Sequence, residues 1–324
     1  MKLTISTMLL ATSLLAFNAD AADVPAPVAD HHQHLFSPAA AKMFGKPDAA
    51  PLVLGAAELI ELLDKAGIER ATVMSVAYMY GSPNRVVEDE YTRVKAENDW
   101  NGAQAALYPQ RLRAFCGVNP LKDYALAEIA RCASSANLKH GLKLHFGNSR
   151  VQLENPEHLE RMRQVFALAN KHRMAIGVHM RASISLKLPY GAEQGRLFLE
   201  QLLPQAPDIP VQIAHMGGTG PGFDDPPAHA AIGVLTQAAS KGDPRTRNLW
   251  FEVASIAHPS NTPETSALIA RLVRQAGVDR VLYGSDAAVY DNLRPREAWA
   301  AFKALPLTEA ELTRVARNVA PYWR

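Results

Sequence analysis

The feature that most constrains the fold of this 324-residue chain is a rhythm in which short strand-like runs, most of them apolar, alternate with amphipathic helical stretches. The runs lie at 28–35, 68–76, 112–118, 141–146, 174–179, 210–215, 249–254 and 280–285. Each is of strand length, and each is followed by a helical segment. A helical crossover returns the chain in its original direction, so such strands pair in parallel and are buried on both faces. Eight of these units predict a (β/α)8 TIM barrel, with room for distortion and with a C-terminal closing helix; an open doubly wound sheet is the alternative.

Local signals support the helical half of the rhythm. Over 56–66, Leu59, Ile60, Leu62 and Leu63 fall on one face and Gly67 is placed as the stop. Asn155 and Pro156 supply a cap and a first-turn proline for a helix that buries Leu159, Met162, Val165, Phe166 and Ala169. Further helices are expected over 86–107, 124–136, 195–203, 228–240, 262–276, 295–305 and 308–317, the last with Thr308 and Glu311 at capping-box spacing. Residues 37–53, rich in Ala and Pro, read as a loop.

The N-terminus reads as a secretory leader. Lys2, an apolar run from Leu3 to Phe17, and the small residues Ala19 and Ala21 form its three parts, which divides the chain into a signal peptide, 1–21, and a barrel domain, 22–324. The apolar run is shorter than the roughly 20 residues that a spanning helix needs, so no membrane association is expected after cleavage. Sec-type export to a periplasm, or secretion, is the expected localisation. A formal charge of +2, scattered along the chain, argues against a nucleic-acid partner. Cys116 and Cys132 lie in apolar runs and are expected to be two buried thiols, although an oxidising compartment would permit a bridge.

Chemistry in a barrel of this kind collects at the C-terminal ends of the strands. His32 and His34 are two apart on the first strand, so their imidazoles project to one side while Gln33 points away. Two histidines do not complete a zinc site, which needs at least three protein ligands. Other polar residues that interrupt or end the apolar runs are Lys143 and His145 on the fourth, His179 on the fifth, His215 on the sixth and Asp286 after the eighth; all share one rim. Arg181, two residues beyond His179, would sit on that rim and could fork a substrate carboxylate or be held in a surface salt bridge. Together with Lys143 and His145 it points to an anionic small-molecule substrate. Glu252 could face the barrel or a helix. The glycine-rich stretch 217–222 lacks the Lys-Ser/Thr of a phosphate loop and reads as a rim loop.

Asp30 with His32-Gln33-His34, Val178-His179, Ala214-His215-Met216-Gly217-Gly218 and Tyr283-Gly284-Ser285-Asp286 together resemble the motifs of the amidohydrolase superfamily. The nearest branch includes aminocarboxymuconate-semialdehyde decarboxylase and related lactonases. The resemblance implies one divalent ion, zinc or manganese, held by His32, His34, His179 and Asp286, with His215 beside the metal-bound water or the substrate. A second metal would require a carboxylated Lys143. By the same resemblance, Asp286 and His215 are the catalytic candidates, and Lys143, His145 and Arg181 the substrate-binding ones. The implied activity is metal-dependent hydrolysis of a C–O or C–N bond in a lactone, ester or amide. The alternatives are a nonoxidative decarboxylase with the same ligands and a non-catalytic periplasmic binding protein. A homo-oligomer is compatible with all three. Specificity would reside in the loops at 78–93, 216–227 and 255–261.

Overall fold

In a computed structural model that describes residues 24–44, 54–287 and 292–324, every apolar run contributes a strand. In chain order these are β1 (Ala29–Gln33), β2 (Arg70–Met74), β3 (Leu112–Gly117), β4 (Gly141–His145), β5 (Ala175–His179), β6 (Val211–Ile213), β7 (Leu249–Glu252) and β8 (Val281–Leu282). They form one eight-stranded sheet in sequential order, with every neighbouring pair parallel. The sheet closes on itself through backbone bonds from His31 N to Tyr283 O (2.9 Å) and from Asp286 N to His32 O (2.8 Å). The expected (β/α)8 barrel is therefore the observed one.

The helices are α1 (Pro38–Phe44), α2 (Ala56–Ala66), α3 (Glu90–Ala106), α4 (Ala125–Ala133), α5 (Phe146–Ser149), α6 (Pro156–Lys171), α7 (Ala192–Leu197), α8 (Pro226–Ser240), α9 (Pro263–Ala276), α10 (Pro295–Lys303) and α11 (Glu309–Arg317). The Asn155 side chain caps α6 and the Thr308–Glu311 capping box opens α11, both as the residue spacing predicts. Two helices depart from expectation. α1 occupies part of the expected loop at 37–53, because Ser37 Oγ accepts from Ala40 N at its start and Pro38 suits a first turn. α5 follows β4 directly, with His145 as its cap. The leader at 1–21 and residues 45–53 lie outside the described residues, within which no helix is long and apolar enough to cross a membrane.

Alternation along the strands sorts side chains into two layers. Outward residues such as Cys116, Leu142 and Val178 join the helices in the main core, while Met74, Phe115 and Ala175 point inward. The N-terminal mouth of the barrel is plugged by the chain's own C-terminus. Tyr322 packs on the inward cluster and donates to Gln212 Oε1 (2.8 Å), and Trp323 Nε1 donates to Thr72 Oγ1 (3.0 Å). The plug leaves the opposite, C-terminal mouth as the open one.

The cysteines correct an expectation: Cys116 and Cys132 are bridged, with Cα atoms 6.2 Å apart. Cys116 faces outward from β3 and Cys132 faces inward from α4. The two apolar faces that suggested separate buried thiols are the two sides of one strand–helix contact.

Candidate metal centre and its cavity

His32 ends up inside the barrel because β1 is anchored on its other side. Asp30 accepts from Ser285 N (3.1 Å) and Ser285 Oγ (2.7 Å), and Gln33 Nε2 donates to both Asp30 (2.7 Å) and Ser285 Oγ (2.5 Å). This seam pins β1 to the segment after β8. His32 and His34 then turn to one side, as their spacing predicts, with their Nε2 atoms 3.2 Å apart. Gln33 points into the seam.

Hydrogen bonds behind the rings set the tautomers. His34 Nδ1 donates to Met74 O (2.5 Å) and His215 Nδ1 to Ala254 O (2.9 Å), both carbonyls that can only accept. His32 Nδ1 lies 2.8 Å from Glu252 Oε2, and Lys143 Nζ donates to His32 Nε2 (2.9 Å), so the ring proton is on Nδ1 and Glu252 accepts it. Three Nε2 lone pairs therefore point into one space. Two acceptors 3.2 Å apart repel unless a cation lies between them, and this donor set suits a divalent ion.

Asp286 supplies the carboxylate. Its Oδ1 is 3.7 Å from His34 Nε2 and its Oδ2 is 3.9 Å from His215 Nε2. Oδ2 accepts from Asn292 (3.1 Å), whereas Oδ1 is buried without a hydrogen-bond partner among the described residues. The ligand atoms of His32, His215 and Asp286 all lie within 4.8 Å of one another. Backbone strain collects here too, with positive φ at His215 (53°), Met216 (47°), Ser255 (58°) and Asp286 (53°). Such conformations persist where surrounding contacts over-determine them, as the Asp286 N to His32 O bond does here.

His179 and His145 line the same cavity in a different way. Their rings stack at 3.8 Å, and His179 meets His215 edge-on at 5.1 Å. His179 makes no side-chain hydrogen bond among the described residues, so both ring nitrogens are free for another partner. His145 Nδ1 accepts from Asn148 N (3.1 Å), which leaves its proton on Nε2 as a donor. Of the predicted residues only Arg181 is not brought to this cavity. Its guanidinium is held by Asp225 through two bonds (2.7 and 3.1 Å), lies over Tyr190, and lines a neighbouring cavity.

Burial dominates the electrostatics. It pushes His32, His34, His145 and His179 well below the ordinary histidine range and His215 down to about 3, with the Lys143 cation adding to the effect. The imidazoles are thus neutral, the form that ligates metal. Burial also lowers Lys143 to about 8 and raises Asp286 to about 7. The cavity measures about 300 Å³ and has a second, apolar wall of Phe36, Phe44, Val76 and Met79, with Tyr78 beside His145.

Glu252 is the functional residue that the sequence reading left undecided. Alternation could not orient it, but it is the lone acid in an apolar parallel strand whose outer face is covered by helices, and the interior was the face able to satisfy it. Burial pushes its carboxyl well up, against the Ala254 N–H and the Lys143 charge, and the carboxyl also lies against His215 N and His32 Nδ1. Gly284 makes room for it: a Cβ there would lie 2.5 Å from Glu252 Oε1 and 2.9 Å from His32 Cβ.

Fold and site together define a (β/α)8 barrel enzyme with an imidazole–carboxylate centre at its open mouth. The chain belongs to the amidohydrolase family, whose sequence profile matches residues 29–320. No curated protein sequence matches it. Among solved structures, 5-carboxyvanillate decarboxylase from Sphingomonas paucimobilis aligns with a TM-score of 0.63 and 15% identity, over 90% of this chain and 97% of that one. The 5-carboxyvanillate decarboxylase of Novosphingobium aromaticivorans, with bound manganese and 3-methoxy-4-hydroxy-5-nitrobenzoic acid, aligns at 0.63 and 13%, over 93% and 97%. A probable 2-pyrone-4,6-dicarboxylic acid hydrolase from Acinetobacter baumannii, with citric acid bound, aligns at 0.56 and 17%, over 89% and 95%. At these identities the likeness is one of fold.

Proposed function

We propose that this chain is an exported, divalent-metal-dependent hydrolase of a small carboxylate-bearing lactone, ester or amide. The observation that carries the reading is the convergence of the His32, His34 and His215 Nε2 lone pairs beside the Asp286 carboxylate, whose Oδ1, 3.7 Å from His34 Nε2, has no hydrogen-bond partner among the described residues. His179 would complete the ligand set from the neighbouring strand. A divalent ion there, zinc or manganese, would polarise the scissile carbonyl and lower the pKa of water. Asp286 would take a proton from the attacking water and return it to the leaving group. Lys143 and the His145 Nε2–H supply the positive and donor groups for a substrate carboxylate, and a cavity of about 300 Å³ admits a molecule of about one ring.

Nonoxidative decarboxylation is the second reading, supported by the decarboxylases that share the fold, one of them holding manganese. Export is supported by the leader-like residues 1–21 and by the Cys116–Cys132 bridge.

The test combines elemental analysis of the purified protein with two assays run in parallel: acid release from carboxylated lactones and esters, and CO2 release from carboxylated phenols. Acid release that a chelator abolishes and added metal restores is the expected result. CO2 release alone would replace the first reading by the second, and turnover indifferent to chelator would refute both.

A further inference from the structure

Lys143 stands against a metal-ligand nitrogen, a position that a role in holding a substrate carboxylate does not by itself explain. It is about 1% exposed, and its sole side-chain hydrogen bond among the described residues is the 2.9 Å contact to His32 Nε2. That nitrogen carries one lone pair in the ring plane. The ring cannot offer its other nitrogen instead, because Nδ1 is tied to Glu252 at 2.8 Å. The lone pair that would ligate a metal is thus the one to which Lys143 donates, and it serves one cation at a time.

We propose that Lys143 and the divalent ion compete for His32 Nε2, making Lys143 a built-in cation that weakens metal uptake and must withdraw when metal binds. Three imidazole lone pairs and a carboxylate crowded together need positive charge, and Lys143 supplies it from within the chain. When it withdraws, its amino group has the Asp286 side or a substrate carboxylate to turn to, which couples metal loading to the placement of the cation that meets substrate. The inference rests on the metal-dependent reading. It is opposite in sign to a ligand role for Lys143, since removal of a ligand weakens metal binding and removal of a competitor strengthens it.

The experiment is a titration of Mn2+ and of Zn2+ against a chromogenic chelator for the parent protein, Lys143→Met and Lys143→Gln, with thermal unfolding of each as the check on folding. Lys143→Met is expected to bind metal about tenfold tighter or more, a small part of the repulsion between a unit charge and a divalent ion a few ångströms apart. Lys143→Gln, a neutral donor, is expected to fall between, and it decides the matter if the Met variant does not fold. Equal affinity in all three overturns the competition and leaves the metal reading standing. Weaker binding in the variants, with a carbamate signal in the parent after 13C-bicarbonate labelling, overturns it in favour of Lys143 as a ligand. Absence of metal binding in parent and variants alike overturns both readings.

Discussion

Glu252→Gln isolates what holds His32 in its metal-ready form. Glu252 Oε2 accepts from His32 Nδ1 (2.8 Å) and His215 N (3.4 Å), and Oε1 accepts from Ala254 N. A carboxamide has one acceptor and one donor, so it must fail on one side. With its NH2 towards His32, the ring shifts its proton to Nε2 and loses the lone pair that points into the centre. With its NH2 towards Ala254, two buried N–H groups face each other, which costs about 1–3 kcal/mol. Outer partners of metal-bound histidines typically contribute about 10–100-fold in metal affinity, or roughly 1.4–2.7 kcal/mol. The expected outcome is a loss of affinity in that range, with melting lowered by only a few degrees. Chelator competition measures the affinity, and two-bond 1H–15N correlation spectra report the tautomer of His32. A Glu252→Gln protein with parental affinity and an unchanged Nδ1–H tautomer would refute the role assigned to Glu252.

Three further predictions address other parts of the structure. Gly284→Ala should fold but lose most of its metal affinity and activity, because the added Cβ displaces Glu252 and His32 rather than the core; metal titration beside thermal unfolding distinguishes the two effects. Burial raises the Glu97 carboxyl above its ordinary value, against the opposing bonds from Ser37, so the folded chain binds that proton more tightly than the unfolded one. Its contribution to stability is therefore fully present below the unfolded value of 4.5 and is lost as pH rises through the folded value; melting curves of parent and Glu97→Gln should diverge in the variant's favour over that interval. Reduction of the Cys116–Cys132 bridge, which spans 16 residues, should lower stability by about 3 kcal/mol, read as a shift in denaturant midpoint with and without reductant.

Most of the architecture was legible from the chain because parallel βα units leave few alternatives: short apolar runs with helices between them must be buried on both sides, and eight of them close. The rim was legible for the same reason. Polar residues at the ends of buried strands, such as His32, His179 and His215, have nowhere to go but the mouth of the barrel. α1 was missed although Ser37 and Pro38 carried a start signal, since its few apolar residues form no clear periodicity.

What the sequence alone determined is thus the repeat, the strand ends and the set of side chains that could meet there, all properties of local spacing and burial. Only the tertiary structure decided which of them meet and in what chemical form. Arg181, for which spacing left a substrate fork and a salt bridge equally open, is taken by Asp225, 44 residues away, and Cys116 finds Cys132 across a strand–helix contact. The ring protons of His32 and His215 are placed by Glu252 and by the carbonyl of Ala254, partners that the chain brings up only on closing. A tautomer or an ion pair depends on distances of a few tenths of an ångström between distant segments, and such distances exist only once the barrel has closed.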